Sequence, residues 1–211
     1  MNQVSDQRGL LLAMMEPPPA IEEEFQDWYD TEHFPERAGC PGFLTAQRFI
    51  CVDGWPRYLA LYDLQDVQVL HGPDYAKFAG ARYSPWTHRI ISRVWGQYRA
   101  EGVQLYPGQA LLGANGAATR MLLCRFRQVP PEYAAPIEQG IRMLDARLET
   151  ALARLYVATQ PDGVDYIGIV ELRGNAAVDA EVFGTGAKYL DLLNVYVPYT
   201  RRMAGAFPKE T

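Results

Sequence analysis

Residues 45–64 read TAQRFICVDGWPRYLALYDL, and the same pattern returns at residues 151–172 as ALARLYVATQPDGVDYIGIVEL. In each stretch, two runs rich in β-branched and aromatic residues flank a turn, at residues 53–54 in the first and 161–163 in the second. Such a pattern is typical of a β-hairpin. Aligning the two stretches pairs Arg48 with Arg154, Tyr58 with Tyr166, Asp63 with Glu171 and Leu64 with Leu172. The pattern therefore predicts two similar halves.

The segments that precede each hairpin follow one scheme. Residues 10–15 and 121–126 are apolar and predict the first strand of each half. Prolines at 17–19 and 130–131 then begin a helix, since proline suits the first helical turn. Apolar residues at helical spacing predict the buried stripes of these helices. The stripes are Ile21, Phe25 and Trp28 in the first half and Tyr133, Ile137, Ile141, Leu144 and Leu148 in the second.

A second helix and a last strand complete each half. We expect these helices at residues 67–81 and 176–183, and the strands at 89–98 and 190–197. The resulting order, β-α-β-β-α-β, is that of a ferredoxin-like domain. It occurs twice along the chain.

The expected fold class is α+β, with two ferredoxin-like βαββαβ repeats forming an intramolecular α/β-barrel. A four-stranded sheet with both helices on one face leaves its other face bare, and such a face must be buried. Packing the two bare faces together would close a barrel with a hollow between the sheets. The expected units are residues 1–101, a linker at 102–117 and a degenerate second repeat at 118–211.

Composition narrows the classes of partner. The chain has 211 residues, of which 48% are hydrophobic and 21% charged, as in ordinary soluble globular proteins. A net charge of −5 without a basic stretch argues against nucleic acid. No apolar run approaches the roughly 20 residues that span a bilayer, and residues 1–9 do not resemble a signal peptide. We therefore expect a cytoplasmic protein without nucleic-acid or membrane partners, as a monomer or a homodimer.

No cofactor or metal is expected. Cys40, Cys51 and Cys124 are odd in number and lack CxxC spacing, so neither a disulfide framework nor a zinc site is indicated. The sequence lacks GxGxxG, Walker and GxSxG motifs. His71 and His88 are expected at solvated loop edges, and neither joins a set with metal-ligand spacing.

The strongest candidate for chemistry is His33. Pro35 disfavours helical geometry at Phe34, which places His33 near the end of the first helix, where the helix dipole favours a protonated imidazole. Asp30 and Glu32 lie close in sequence and could orient the ring for general acid–base catalysis. The alternative is a capping histidine in a surface network.

A difference between the halves favours a functional His33. The second half contains no histidine, and its interval from Pro131 to Ala151 is about five residues shorter than the interval from Ala20 to Thr45. The missing portion corresponds to the segment around His33. The second copy is thus expected to have kept its strands and lost the site.

The first half resembles a known group of proteins. The pattern FxxWYxxxHxP at residues 25–35, followed by Pro-Gly-Phe at 41–43 and a strand, is similar to the EthD-like branch of the dimeric α/β-barrel superfamily. The resemblance covers roughly residues 10–99, including YSPWTHRI at 83–90. It implies the barrel fold and a His-x-Pro segment facing a cleft that leads into the barrel. This superfamily hosts cyclases, isomerases, lyases, cofactor-free monooxygenases and proteins of unknown role, so the resemblance does not decide the activity.

Several other side chains are candidates for binding a substrate. Alternation along the strand places Tyr58 and Tyr62 on one face and Leu59 and Leu61 on the other. If the leucines pack against the helices, the tyrosines point into the barrel. Arg48 and Arg93 could point inward to bind a carboxylate or phenolate, or form surface ion pairs. The remaining candidates are aromatic. They are Trp28 and Trp86, as a ligand platform or as core residues, and Tyr29, on the same helical face as His33.

These features favour a cofactor-independent enzyme that acts on a small, largely apolar carbonyl or phenolic metabolite, aromatic or polyketide-like. His33 would move a proton at a carbon next to a carbonyl, giving isomerase, cyclase or lyase chemistry, while tyrosines hold the substrate oxygen. Two alternatives stay open. One is a cofactor-free monooxygenase, and the other is a non-enzymatic binder of a hydrophobic small molecule.

Overall fold

The computed structural model describes residues 7–116 and 118–200. Eight strands close into a barrel in the order β1-β3-β2-β8-β5-β7-β6-β4, and every neighbouring pair is antiparallel. The strands are β1 (Gly9–Glu16), β2 (Phe43–Asp53), β3 (Tyr58–Leu64), β4 (Trp95–Tyr106), β5 (Arg120–Phe126), β6 (Thr150–Gln160), β7 (Gly163–Leu172) and β8 (Leu190–Pro198). The expected α+β barrel is confirmed.

The two halves contribute four strands each, in the same spatial order. The first-half strands lie side by side as β4-β1-β3-β2 and the second-half strands as β8-β5-β7-β6. Two seams join the halves, where β2 pairs with β8 and β4 with β6. Because both sheet edges are paired across these seams, no open edge is left in the barrel.

The helices cover the outside of the barrel. They are α1 (Glu22–Trp28), α2 (Phe34–Ala38), α3 (Pro85–Ile91) and α4 (Ala134–Asp145), and the π-helical turn Tyr29–His33 joins α1 to α2. Short 3-10 segments occur at Pro19–Ile21, Val67–His71, Tyr75–Lys77, Gly80–Arg82, Pro131–Tyr133 and Ala180–Tyr189. Phe25, Trp28, Ile137, Ile141 and Leu144 are buried as expected. Leu148 is 92% exposed, contrary to expectation, because α4 ends before it.

Three expected element positions were wrong. The helix expected at 67–81 is a series of 3-10 turns, and the helix of this region is α3, which begins after the N-cap Ser84 and carries Pro85 at its first position. Ser-Pro is a helix-start signal. Because α3 occupies residues 85–91, the following strand begins at Trp95 rather than at residue 89. In the second half, the helix expected at 176–183 is the 3-10 segment from Ala180 to Tyr189.

The expected direction of the β3 side chains was also wrong. Leu59 and Leu61 point into the barrel, whereas Tyr58 and Tyr62 point outward and pack under the first-half helices. Every residue of β3 is buried. A strand that is covered on both faces carries no polar face that would identify the solvent side. Alternation of side chains therefore cannot decide which face of β3 points into the barrel.

The sequence alignment of the two hairpins is shifted by one residue in one strand. Arg48 pairs with Ala60, and the counterpart of Ala60 in the second half is Gly168, which pairs with Leu155 rather than Arg154. A shift of one residue turns a strand side chain to the opposite face. Arg154 therefore points into the barrel, while Arg48 points out toward the helices.

The barrel interior contains apolar side chains and one buried ion cluster. Arg154 is fully buried and donates hydrogen bonds to Asp63 at 2.6 Å and to Glu171 at 3.1 Å. The segment that connects the halves caps this cluster, because the backbone N–H of Leu112 donates to Asp63 and that of Gly113 donates to Glu171. Burial raises the pKa of the Glu171 carboxyl. The expected hollow is thus occupied, in this part, by charged side chains from both halves.

Within the described ranges, no helix combines the length and the apolar character that a bilayer crossing requires.

Candidate active site

A cavity of about 130 Å³ lies in the first half, between the helices and the outer face of the sheet. Its apolar wall includes Leu11, Ala13, Met15 and Ile91. The polar residues of its lining are Tyr29, Tyr62, Tyr75, Tyr83, Tyr98, His33, Arg37, Arg99 and Gln97. An apolar pocket with a few convergent polar groups is the usual form of a small-molecule site. His33 therefore faces a cavity. Most of its lining lies on the outer side of the sheet, but it also includes Met14 and Tyr98, which pack in the interior of the barrel.

The turn that carries His33 continues the helix instead of ending it. The N–H of Phe34 donates to the carbonyl of Tyr29, five residues earlier, and Phe34 keeps helical φ and ψ before Pro35. A proline inside an α-helix clashes with the carbonyl four residues before it. The wider π turn accommodates the proline, and α2 then runs on to Ala38. The expected helix end at His33 was wrong for this reason.

His33 is enclosed by aromatic rings. Its side chain is 5% exposed, its ring centre lies 4.1 Å from that of Trp28, and the ring of Tyr29 meets it edge-on at 5.2 Å. The Nδ1 atom is buried and has no hydrogen-bond partner among the described residues. A buried polar atom without a partner is costly, so this nitrogen is available to a ligand.

The electrostatic surroundings keep the imidazole neutral. Burial lowers the pKa of His33 well below its ordinary value of 6.5, and the positive charges of Arg37 and Arg48 lower it further. This reverses the expectation of a protonated ring stabilised by the helix dipole. A neutral imidazole has one N–H donor and one basic nitrogen, and it can act as a base without first losing a proton.

Tyr62 provides a second buried polar group in the same cavity. Its side chain is 1% exposed. Its hydroxyl makes no hydrogen bond of good geometry to a described residue, and the phenol of Tyr29 is a polar neighbour within bonding reach. Burial raises the pKa of this phenol well above 10, so it stays protonated and remains a donor. The cavity thus holds a phenolic donor and a neutral imidazole.

Arg37 and Tyr75 are cavity residues that the sequence did not reveal. The guanidinium of Arg37 donates to the carbonyl of His33 at 3.0 Å, and its centre lies 5.9 Å from the ring centre of Tyr75. The signal for Arg37 was its position four residues after His33, which puts both on one helical face. Tyr75 follows no periodic pattern.

Comparisons with known proteins bear on the fold that holds this cavity. No family model matches the sequence, and no curated protein matches it. Among solved structures, an anthrone oxidase-like protein is similar over 97% of this chain and 96% of its own, with 10% identity and a TM-score of 0.66. A chlorite dismutase-like protein covers 92% and 95%, with 9% identity and a TM-score of 0.58. A putative monooxygenase from Lactobacillus acidophilus NCFM covers 92% and 93%, with 8% identity and a TM-score of 0.52.

The chain shares the fold of these solved structures, a closed antiparallel barrel with helices on its outside. At sequence identities near 10%, similarity to these structures establishes the fold but not the activity. On this barrel, the residues expected to form one site fall into separate groups.

Asp30 and Arg48 form one group beside the cavity. Arg48 is held between the rings of Tyr29 and Tyr199, with its guanidinium carbon 4.2 Å from each ring centre, and it donates to Asp30. Tyr199 donates its hydroxyl to the same carboxylate at 2.9 Å. These contacts differ from the expected role of Asp30 in orienting His33. The same group fixes the π turn from the outside.

Glu32 and Trp28 form a second group, which ties the π turn to α3. Glu32 accepts hydrogen bonds from the hydroxyls of Ser84 and Thr87, and the indole N–H of Trp28 donates to Thr87 at 3.0 Å. Glu32 thus contacts α3, which differs from its expected role beside the imidazole. Trp28 holds one face of the His33 ring.

Three other candidates lie outside the lining of the cavity. Tyr58 donates to Glu22 on α1, and the indole N–H of Trp86 donates to Glu24 at 3.1 Å. Arg93 is exposed in the turn after α3. Of the two alternatives for this residue, the surface position holds, because the strand begins two residues later, at Trp95.

The remaining histidines do not suit a haem or metal site. His71 is 59% exposed and lies 3.3 Å from Glu101, and His88 is exposed on α3. A haem ligand must face a cavity that can receive the group, and neither side chain lines the cavity described above. Among residues 7–116 and 118–200, no cluster of three His, Cys, Asp or Glu side chains could hold a metal ion.

Proposed function

We propose that this protein is a cofactor-independent enzyme in which neutral His33 takes a proton from a small aromatic or polyketide-like carbonyl or phenol. One observation carries the proposal. His33 and Tyr62 line the same cavity, and each has a buried polar atom that makes no hydrogen bond of good geometry within residues 7–116 and 118–200. Such atoms in a cavity match the donor and acceptor groups of a ligand.

The chemistry follows from the state of each group. The basic nitrogen of His33 takes a proton from a carbon next to a carbonyl, and the electron pair of the broken C–H bond moves onto the carbonyl oxygen to give an enolate. The hydroxyl of Tyr62 donates a hydrogen bond to that oxygen as its charge grows. Return of the proton to another carbon completes an isomerisation, and attack of the enolate on a second carbonyl of the substrate closes a ring.

The neighbouring groups hold these two in place under the proposal. Trp28 and Tyr29 fix the plane of the imidazole. Asp30, through Arg48, and Glu32, through α3, hold the π turn. They are positioning residues, since they act through the turn that carries His33.

Cofactor-free oxygenation is a second candidate, because it begins with the same proton transfer. An enolate of an electron-rich phenol can react with O₂ at carbon, and loss of water from the resulting hydroperoxide leaves a new carbonyl. The names of the anthrone oxidase-like and monooxygenase neighbours keep this candidate open. Binding without turnover is the third alternative.

Proton exchange tests the proposal without knowledge of the natural substrate. We expect the protein to speed replacement of acidic C–H protons by deuterium in enolisable aromatic ketones in D₂O, followed by proton NMR under argon. Exchange without oxygen uptake favours isomerase or cyclase chemistry, and oxygen uptake after admission of air favours oxygenation. Binding of the ketones with no exchange and no uptake would overturn the proposal in favour of a binder.

The lowered pKa of His33 predicts an unusual pH profile. A base must be unprotonated, and the folded-state pKa of His33 lies well below 6.5, so the exchange rate should stay on its plateau at pH 6.5 and fall only at lower pH. The rate is measured from pH 4 to 9, with folding checked by circular dichroism at each pH. A fall centred at or above pH 6.5 would contradict a neutral buried base.

We also propose a tandem origin for the fold, with two ferredoxin-like repeats at 1–101 and 118–211 joined by 102–117 and an EthD-like first half. The shared strand order of the halves supports the repeats. Superposing residues 10–99 on 118–198 in an experimental structure tests them, and a different topology in either half would count against them. A cytoplasmic location and a homodimer likewise remain proposals.

A further inference from the structure

We propose that the substrate carries a carboxylate, which Arg37 binds inside the cavity. This inference rests on the proposed function, because it places the second end of the same substrate. It assigns Arg37 as the residue that determines specificity for an acid over a neutral analogue.

The observation behind it is a buried positive charge with little compensation. Arg37 is 3% exposed, and its one hydrogen bond within the described part of the chain goes to the neutral carbonyl of His33. Its nearest carboxylate, Glu36, is 3.6 Å away and about one third exposed. Buried charges are normally paired with a hydrogen-bonded opposite charge. For Arg37, the opposite charge on Glu36 is near but is not among the hydrogen-bond acceptors of the guanidinium. The side chain also lines the cavity.

The other polar groups around Arg37 do not supply an anion inside the cavity, so a ligand can do so. The other guanidinium of the cavity, on Arg99, already pairs with Glu101. The hydroxyl of Tyr75 accepts a long contact from Arg99 at 3.4 Å and keeps its own proton to donate. Among the described residues that line the cavity, none is Asp or Glu. An anion that enters would thus meet Arg37 and Tyr75 and no carboxylate.

A carboxylate fits this position better than other anions. The planar guanidinium matches a carboxylate through two parallel hydrogen bonds. The rest of the wall is apolar and aromatic, with the side chains of Leu11, Ala13 and Met15, which suits a planar organic acid. A phosphate carries more negative charge and would need several cationic donors. The guanidinium of Arg37 is a single buried cation.

The test compares an acid with its ester. Calorimetric titration uses 1-hydroxy-2-naphthoate and its methyl ester, which differ in the negative charge and in one methyl group. We expect the wild-type protein to bind the acid at least about tenfold more tightly, since hydrogen bonds between charged groups are among the strongest in proteins. Arg37→Gln should remove this preference, so that the acid and the ester bind with equal affinity, and Arg37→Lys should keep part of it. Arg142→Gln, which removes an exposed guanidinium from α4, is the matched control and should change neither affinity.

Each result decides the inference. Equal affinity for acid and ester, no binding of either, or a preference that survives Arg37→Gln would overturn it. The wild-type comparison decides even where a variant does not fold. Proton exchange on neutral ketones without any preference for the acid would support the proposed function and reject the carboxylate site. The opposite result is a preference for the acid that depends on Arg37, with no proton exchange on any ketone. It would support the carboxylate site and reject the proposed function.

Discussion

His33→Ala is expected to slow proton exchange by about 10²–10⁴-fold, the usual contribution of a general base. The variant loses the neutral imidazole that receives the proton, while the hydroxyl of Tyr62 and the cavity wall remain. The rate that is left should no longer fall at acid pH, because the group whose protonation causes that fall is gone. Exchange rates measured by NMR across the pH range report both effects.

The stability of this variant needs its own measurement. His33 packs on Trp28 at 4.1 Å between ring centres, so its truncation leaves a gap and we expect a loss of about 1–3 kcal/mol in the free energy of unfolding. His33→Gln fills more of that gap and separates the loss of the base from the loss of packing. The exposed histidines serve as controls, and His71→Ala and His88→Ala should exchange at the wild-type rate. A folded His33→Ala protein with normal exchange would disprove the role of His33.

Arg154→Met is expected to cost about 3–5 kcal/mol in the free energy of unfolding, as when one partner is removed from a buried ion pair. The substitution leaves the carboxylates of Asp63 and Glu171 inside the barrel without their shared cation. The loss should shrink as the pH falls, because protonated carboxyls need no cation. Denaturant unfolding at several pH values measures both quantities.

A matched control and a rescue sharpen this prediction. Arg142→Met removes a guanidinium that pairs with Glu138 on the surface of α4, and we expect a change of about 0.5 kcal/mol or less. Replacing Asp63 and Glu171 by leucine together with Arg154→Met should recover part of the loss, since an apolar set can substitute for a buried ion cluster. A loss below about 1 kcal/mol for Arg154→Met alone would contradict the burial of this cluster.

The barrel could be predicted from the sequence because its signals are local. The turns at residues 53–54 and 161–163, with strand-forming runs on both sides, define two hairpins without knowledge of the rest of the chain. The side-chain directions could not be predicted in the same way. Tyr58 and Tyr62 face the helices because helices cover the outside of β3, and that covering is a long-range fact.

The site was predictable only in part. His33 stands out because the second half lacks a histidine, but its burial depends on a π turn that continues past Pro35, and no rule of local propensity gives that turn. The polar groups of the cavity come from segments far apart in the sequence, such as Arg37, Tyr62 and Tyr75. Their meeting depends on the 3-10 turns between β3 and α3, which have no periodic pattern to reveal them.

The ion cluster inside the barrel also restricts how this chain can evolve. Arg154 comes from one half, while its partner Asp63 comes from the other, and backbone amides of the connecting segment complete the hydrogen bonds. A mutation that removes Asp63 or Arg154 breaks an ion pair between the halves, so the compensating changes extend into the opposite half. The two halves are therefore inherited as a pair. The first half alone would carry Asp63 without its counter-ion, and the second half alone would keep Arg154 and Glu171 but lose Asp63.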